Sequence, residues 1–144
     1  MDWIKNKYQD LETKVSFESE LFEDAEVTVT VIEDCREISK EDEVFIESIL
    51  NRIQEFVPII EQKLRCYEYG IDECDLEDEE NLDLAIEEAM QPLDFCRPGV
   101  MFAINDEWDE KRWDFMAGKK SMYESYGIHV VFEEDQFREI FGGG

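Results

Sequence analysis

The apolar residues of this chain change their spacing twice, and that change constrains the fold more than any other feature. In Val15-Ser-Phe17-Glu-Ser-Glu-Leu21 and in Val27-Thr-Val29-Thr-Val31 they fall at every second position, with one slip near Ser19. From Phe45 to Tyr67 they fall at every third or fourth. From Pro98 strand-like patterning returns. A period of two puts one face of a strand in a core, and a period near 3.6 does the same for one stripe of a helix. Strands, then helix, then strands predict an α+β domain.

The first strand pair reads as an N-terminal β-hairpin, with Asp24-Ala25 between its arms and one face buried. Ahead of it, Trp3, Ile4, Tyr8 and Leu11 recur at helical spacing and predict a short amphipathic lead-in over 1–12. Ser39-Lys-Glu-Asp42 has the form of a helix N-cap followed by acids, which the helix dipole favours. Phe45, Ile49, Ile53, Phe56, Ile60 and Leu64 form the stripe behind it. Pro58 interrupts that stripe. It lacks an N–H and crowds the preceding turn, so the spacing predicts a kink, or two helices over about 40–56 and 58–68. A further short helix is expected over about 81–91, closed by Pro92. Three or four strands are expected, over Gly99–Ile104, Lys111–Met116 and Ile128–Phe132, with Phe137–Phe141 as a short last one. Short connections between them predict a C-terminal antiparallel meander. No linker or internal repeat divides the chain, so one domain over 1–144 is expected.

Charge then narrows the function. Asp and Glu number 39 against 14 Lys and Arg, a formal net of −25. Hydrophobic residues at 43% and aromatics at 12% separate the chain from disordered acidic tails. Neutralising phosphates needs Lys and Arg in quantity, so direct nucleic-acid binding is excluded, and anionic membranes are repelled. Basic proteins and multivalent cations are what such a surface attracts. The charge is also concentrated. Between Arg65 and Arg97 there is no Lys or Arg, and twelve acids stand there, with Asp72-Glu-Cys-Asp-Leu-Glu-Asp-Glu-Glu80 at the centre.

Few motifs carry chemistry. An EF-hand loop fails in both registers: from Asp72, Cys74 and Leu76 take ligand places, and from Asp75, Glu80 replaces the glycine and Ile86 the last glutamate. Cys35, Cys66, Cys74 and Cys96 form no Cys-x-x-Cys pair and match no zinc module. Four reduced thiols in a cytoplasmic protein are expected, with no signal peptide, no membrane span, no cofactor and no metal. His129, the one histidine, sits in an alternating strand pattern and reads as a surface or half-buried strand residue. No phosphate loop is present. The terminal Gly142-Gly-Gly reads as a frayed end. Trp108 and Trp113 flank Asp109-Glu-Lys-Arg112, and aromatics beside charges have the composition of interface anchors.

The order of elements resembles that of small bacterial proteins of unknown function that overlap the immunity proteins of polymorphic toxin systems. The likeness covers Val15 to Phe141. It is carried by the opening hairpin, the helix from Ser39 to Tyr69, and the ending Trp113-Asp-Phe, Tyr126-Gly-Ile-His-Val-Val-Phe132 and Phe137-Arg-Glu-Ile. The resemblance implies a cytoplasmic, non-enzymatic domain that binds and masks another protein, and it carries over no catalytic residue. The expectation that follows is a protein-binding module masking a basic partner such as a nuclease toxin. Its contacts would be Asp72, Asp75, Glu77, Asp78, Glu79 and Glu80, with Trp108 as an apolar anchor. Two other functions fit the composition. One is a DNA mimic, whose acids are spaced like phosphates. The other is a small carboxylate-based or metal-dependent hydrolase, which needs a pocket converging on two or three acids with a perturbed pKa.

Overall fold

The computed structural model describes residues 2–33, 37–68, 95–105, 108, 111–119 and 127–142. Their elements are β1 (Ile4–Lys5), β2 (Leu11–Ser16), β3 (Glu26–Glu33), α1 (Lys40–Asn51), α2 (Ile53–Glu68), β4 (Phe95–Ile104), β5 (Arg112–Lys119), β6 (Ile128–Glu133) and β7 (Gln136–Gly142). The seven strands form one sheet in chain order, and the fold is α+β. All neighbours pair antiparallel except β3 and β4, which run parallel from Thr28 opposite Gly99 to Glu33 opposite Ile104. Strands β4–β7 follow one another antiparallel. They join the N-terminal strands edge to edge, which makes one mixed sheet and not a separate hairpin and meander. A parallel join needs a long crossover, and α1 and α2 lie in the chain between those two strands.

Two boundaries differ from expectation at the N-terminus. Residues 4–12 form a small strand pair, not a helix. Asn6 is the cause: its Oδ1 accepts the backbone N–H of Tyr8 at 2.9 Å and of Asp10 at 3.1 Å, and Gln9 takes φ 67°. An Asn side chain that satisfies backbone donors ahead of it competes with helix and makes a turn. The first arm of the hairpin ends at Ser16, not Leu21. The Ser19 Oγ and carbonyl accept the N–H groups of Leu21 and Phe22, so the slip in the alternation marks a turn.

The helices also divide elsewhere than expected. The break falls at Arg52 (φ −110°, ψ 13°), whose N–H donates to the Ile49 carbonyl at 3.0 Å in a tightened last turn. Pro58 stands exposed in the second turn of α2, where it removes one hydrogen bond and the helix continues through it. The N-cap at Ser39 forms as expected. Ser39 Oγ accepts the Asp42 N–H at 3.1 Å, and Asp42 Oδ2 accepts the Ser39 N–H at 2.9 Å.

Both helices contribute to a core packed against one face of the sheet. That face carries Val27, Val29 and Val31, then Val100, Phe102 and Ile104, then Trp113, Phe115 and Ala117, then Ile128, Val130 and Phe132, all buried. Ile46, Ile49, Ile53, Phe56, Ile60 and Leu64 cover it from the helices. Phe56 meets Trp113 edge-on at 5.1 Å and Phe132 at 5.3 Å, while Trp113 and Phe132 stack at 4.4 Å. Phe17 and Phe22, from the β2–β3 loop, close on Phe115. The Gln54 side chain ties that loop to α2, accepting the Glu18 N–H at 3.0 Å and donating to its carbonyl at 2.7 Å.

The sulfur chemistry departs from the expectation of four reduced thiols. Cys66, buried at the end of α2, is disulfide-bonded, and Cys96 is free. The partner of Cys66 lies outside the described residues, as does the helix expected over 81–91. No helix among the described residues is long and apolar enough to cross a membrane.

Candidate functional site

The seven strands give the sheet a second face, and its residues alternate with those of the core. Two registered rows cross it. One runs Met101, Asp114, Val131, Glu139 from β4 to β7, and the next runs Gly99, Met116, His129, Phe141. A groove of about 760 Å³ opens over this face. Met101, Ala103, Asp114, Val131, Glu139 and Phe141 line it, with Arg112 and Asn105 at its rim. A second groove of about 640 Å³ continues on the same face around Thr28, Thr30, Gly99 and Met116, bordered by Lys14, Arg97, Asp24 and Glu26.

Two polar pairs stand on this face, and Asp114, Arg112 and Glu139 of them line the first groove. Asp114 Oδ2 lies 3.3 Å from His129 Nδ1, with side-chain exposures of 21% and 15%. The imidazole stacks on Phe141 at 4.9 Å, nearly parallel. Arg112 Nη2 donates to Glu139 Oε1 at 3.1 Å, and both of these side chains are about half exposed. Burial raises the Asp114 carboxyl above its ordinary range. The hydrogen bond and charge of His129, and the charge of Arg112, pull it back down, and Glu139 adds to the rise. Desolvation wins because no full opposite charge is hydrogen-bonded to Asp114: among the described residues its one hydrogen-bonding partner is the imidazole.

Trp108 is placed differently from an exposed anchor. It is 5% exposed, and its Nε1 donates to the Arg112 carbonyl at 2.8 Å. Phe45 of α1 meets its ring edge-on at 5.7 Å, and the Lys111 ammonium lies 4.5 Å from the ring centre. That ammonium also pairs with the buried Asp42 at 3.2 Å. Trp108 thus ties the β4–β5 connection to α1, and only its margin borders the groove. Its partner Trp113 packs in the core, with Nε1 donating to the Glu134 carbonyl at 2.7 Å. The acids Asp72, Asp75, Glu77, Asp78, Glu79 and Glu80 lie outside the described residues, so the structure brings none of them to the groove or away from it.

The groove residues were legible one at a time and not as a set. His129 reads correctly from sequence as a half-buried strand residue. Arg112, Asp114 and Met116 alternate with Trp113, Phe115 and Ala117, which marks a polar face on β5. What the spacing does not give is register, and register is what sets Asp114 beside His129 and Val131. Among the described residues no three His, Cys, Asp or Glu side chains converge as metal ligands do. No family model matches this chain, and neither a curated protein nor a solved structure matches it.

Proposed function

We propose that the chain is a single-domain, non-enzymatic binding module, immunity-like in role, that captures and masks a basic protein such as a nuclease toxin. The observation that carries this reading is the net charge of −25 on a chain with a well-packed core. A nuclease's working face is basic because it must hold phosphates, and an acidic partner matches it with fast, salt-sensitive association. The second face of the sheet supplies a surface for such contact, since none of the described helices packs on it and a groove opens there. The acids from Asp72 to Glu80 remain part of the proposal as a second contact region. A cytoplasmic location belongs to the proposal too, and the Cys66 disulfide weighs against it, because a reducing cytosol keeps most thiols free.

The test is functional capture. Proteins retained on the immobilised chain at low salt and released at about 0.5 M salt, where screening is strong, are assayed for nuclease activity. Expected is a basic nuclease that is silenced when the chain is added back at low salt and regains activity on release. Retention of no basic protein, or of one whose activity is indifferent to the chain, overturns the reading.

A second reading has one observation in its favour. Two carboxylates line the groove, Asp114 with a raised pKa and Glu139, and an imidazole lies 3.3 Å from the first; such a pair suits general-base chemistry on water. Hydrolysis of simple esters or phosphodiesters that is lost in His129→Gln would establish it. Absence of turnover across such a panel removes it.

A further inference from the structure

Resting on the reading that the chain captures a basic protein, we propose that the groove over β4–β7 is a socket for one arginine side chain of that partner, with Asp114 as the carboxylate that receives the guanidinium. The socket's chemistry is set by which charges in it are already matched. Arg112 and Glu139 neutralise one another at 3.1 Å. His129 faces Asp114 from β6 and hydrogen-bonds it at 3.3 Å. Met101, facing from β4, adds no charge. Asp114 is left as a partly buried anion whose one hydrogen bond, among the described residues, comes from an imidazole. A buried charge without a full counter-charge is the kind of group that a cation stabilises strongly.

The walls select arginine among cations. Its three-methylene stem needs an apolar channel, and Met101 and Phe141 provide one beside the carboxylate, with Val131 buried beneath. Its guanidinium sheds water more readily than an ammonium and can meet a carboxylate with two parallel donors. The fold shows the same chemistry at the rim, where Arg112 already sets its guanidinium on Glu139. An anionic ligand would have to displace that pair and lie against Asp114. The raised carboxyl of Asp114 agrees with a site short of one positive charge.

His129 makes the test direct, because it is the chain's one histidine and lies 3.3 Å from Asp114. The probe is N-acetyl-arginine methylamide, and the neutral control is the citrulline equivalent. The His129 ring protons are followed by NMR through each titration. Expected is a saturable shift with the arginine probe and binding at least about tenfold weaker with citrulline. Asp114→Asn is expected to abolish the shift with its one-dimensional spectrum still dispersed. Arg112→Ala, at an exposed rim position, frees Glu139 and is expected to tighten arginine binding. Glu41→Gln with Glu43→Gln, on exposed α1 positions, is expected to change nothing. No saturable shift, an equal response to citrulline, a response kept in Asp114→Asn, or no tightening in Arg112→Ala overturns the socket. The outcomes separate the two proposals. A failed arginine titration with basic-nuclease capture intact removes the socket and leaves the module. A saturable titration without capture removes the module and leaves the socket.

Discussion

Asp114 shows what sets one carboxylate apart among 39 acids. Most of the described acids are exposed, and their charge costs little locally. Asp114 is on a β5 position that the sheet half covers, and burial raises its carboxyl above 3.8. The sign of the consequence follows from proton counting. Between 3.8 and the raised value the fold holds a proton that the unfolded chain has released, so the native state binds more protons and stability falls as pH rises through that window. The contribution is absent below the window and fully unfavourable above it. Groups facing Asp114 are Arg112 on its own strand, His129 on β6 and Glu139 on β7. Replacing His129 in both chains keeps its hydrogen bond and charge out of the comparison. We therefore predict that His129→Gln with Asp114→Asn gains stability relative to His129→Gln alone as pH rises from about 3 to about 7. Thermal melts at stepped pH measure the difference, and a constant difference contradicts it. Sequence could not single out Asp114, because with this many acids no carboxylate stands out by type. The burial of Trp108 was hidden for a related reason: aromatic-beside-charge composition is shared by interfaces and by a buried ring with a lysine over its face.

At the scale of elements, the period of the apolar residues located most strands and both helices, and single polar residues moved the boundaries. Asn6 turned a helical spacing into a strand pair, and Ser19 ended an arm of the hairpin early. Asn6 leaves no mark in the hydrophobic pattern and Ser19 only a slip in the alternation, since each acts through a side chain that bonds nearby backbone. The parallel join of β3 to β4 was hidden for another reason. Strand patterns specify faces and not neighbours, and the pairing is decided by what the crossover can span. Pro58 misled because a proline's cost depends on where in the helix it falls. In the second turn it forfeits one bond, and Phe56, Val57, Ile60 and Leu64 hold α2 to the core on either side of it. Arg52, with no sequence signal, holds the break. From this we expect Pro58→Ala to raise stability by about 1–3 kcal/mol, by restoring an N–H at an exposed helical site. It should leave the break at Arg52 in place. Urea unfolding measures the first and amide exchange across Arg52 the second. A loss of stability, or a helix that becomes continuous through Arg52, would show that proline sets the geometry.

For the whole molecule, charge acts on folding and on recognition with opposite signs. A net of −25 repels itself in the compact state, and the core of Phe56, Trp113 and Phe132 holds against that repulsion. Added salt screens like charges, so it should strengthen the fold. The same screening weakens attraction to a basic partner. The chain's own ion pairs change little in this balance. Arg112–Glu139 and Arg138–Glu133 are surface pairs of the kind that contribute about 0–1 kcal/mol. Lys111–Asp42 is better shielded, with Asp42 buried and the ammonium over Trp108. We expect the melting temperature to rise steadily between about 0.01 and about 0.5 M sodium chloride, over which the screening length falls from about 30 Å to a few ångström. Over the same range, capture of a basic partner should fall. The pairing of the two curves matters more than either alone. A loss of capture with a rising melting temperature is release of an intact module, whereas a loss with a falling one is unfolding. A melting temperature that falls with salt would mean that favourable ion pairs outweigh the excess of acid, and the charge would then be serving the fold and not a partner.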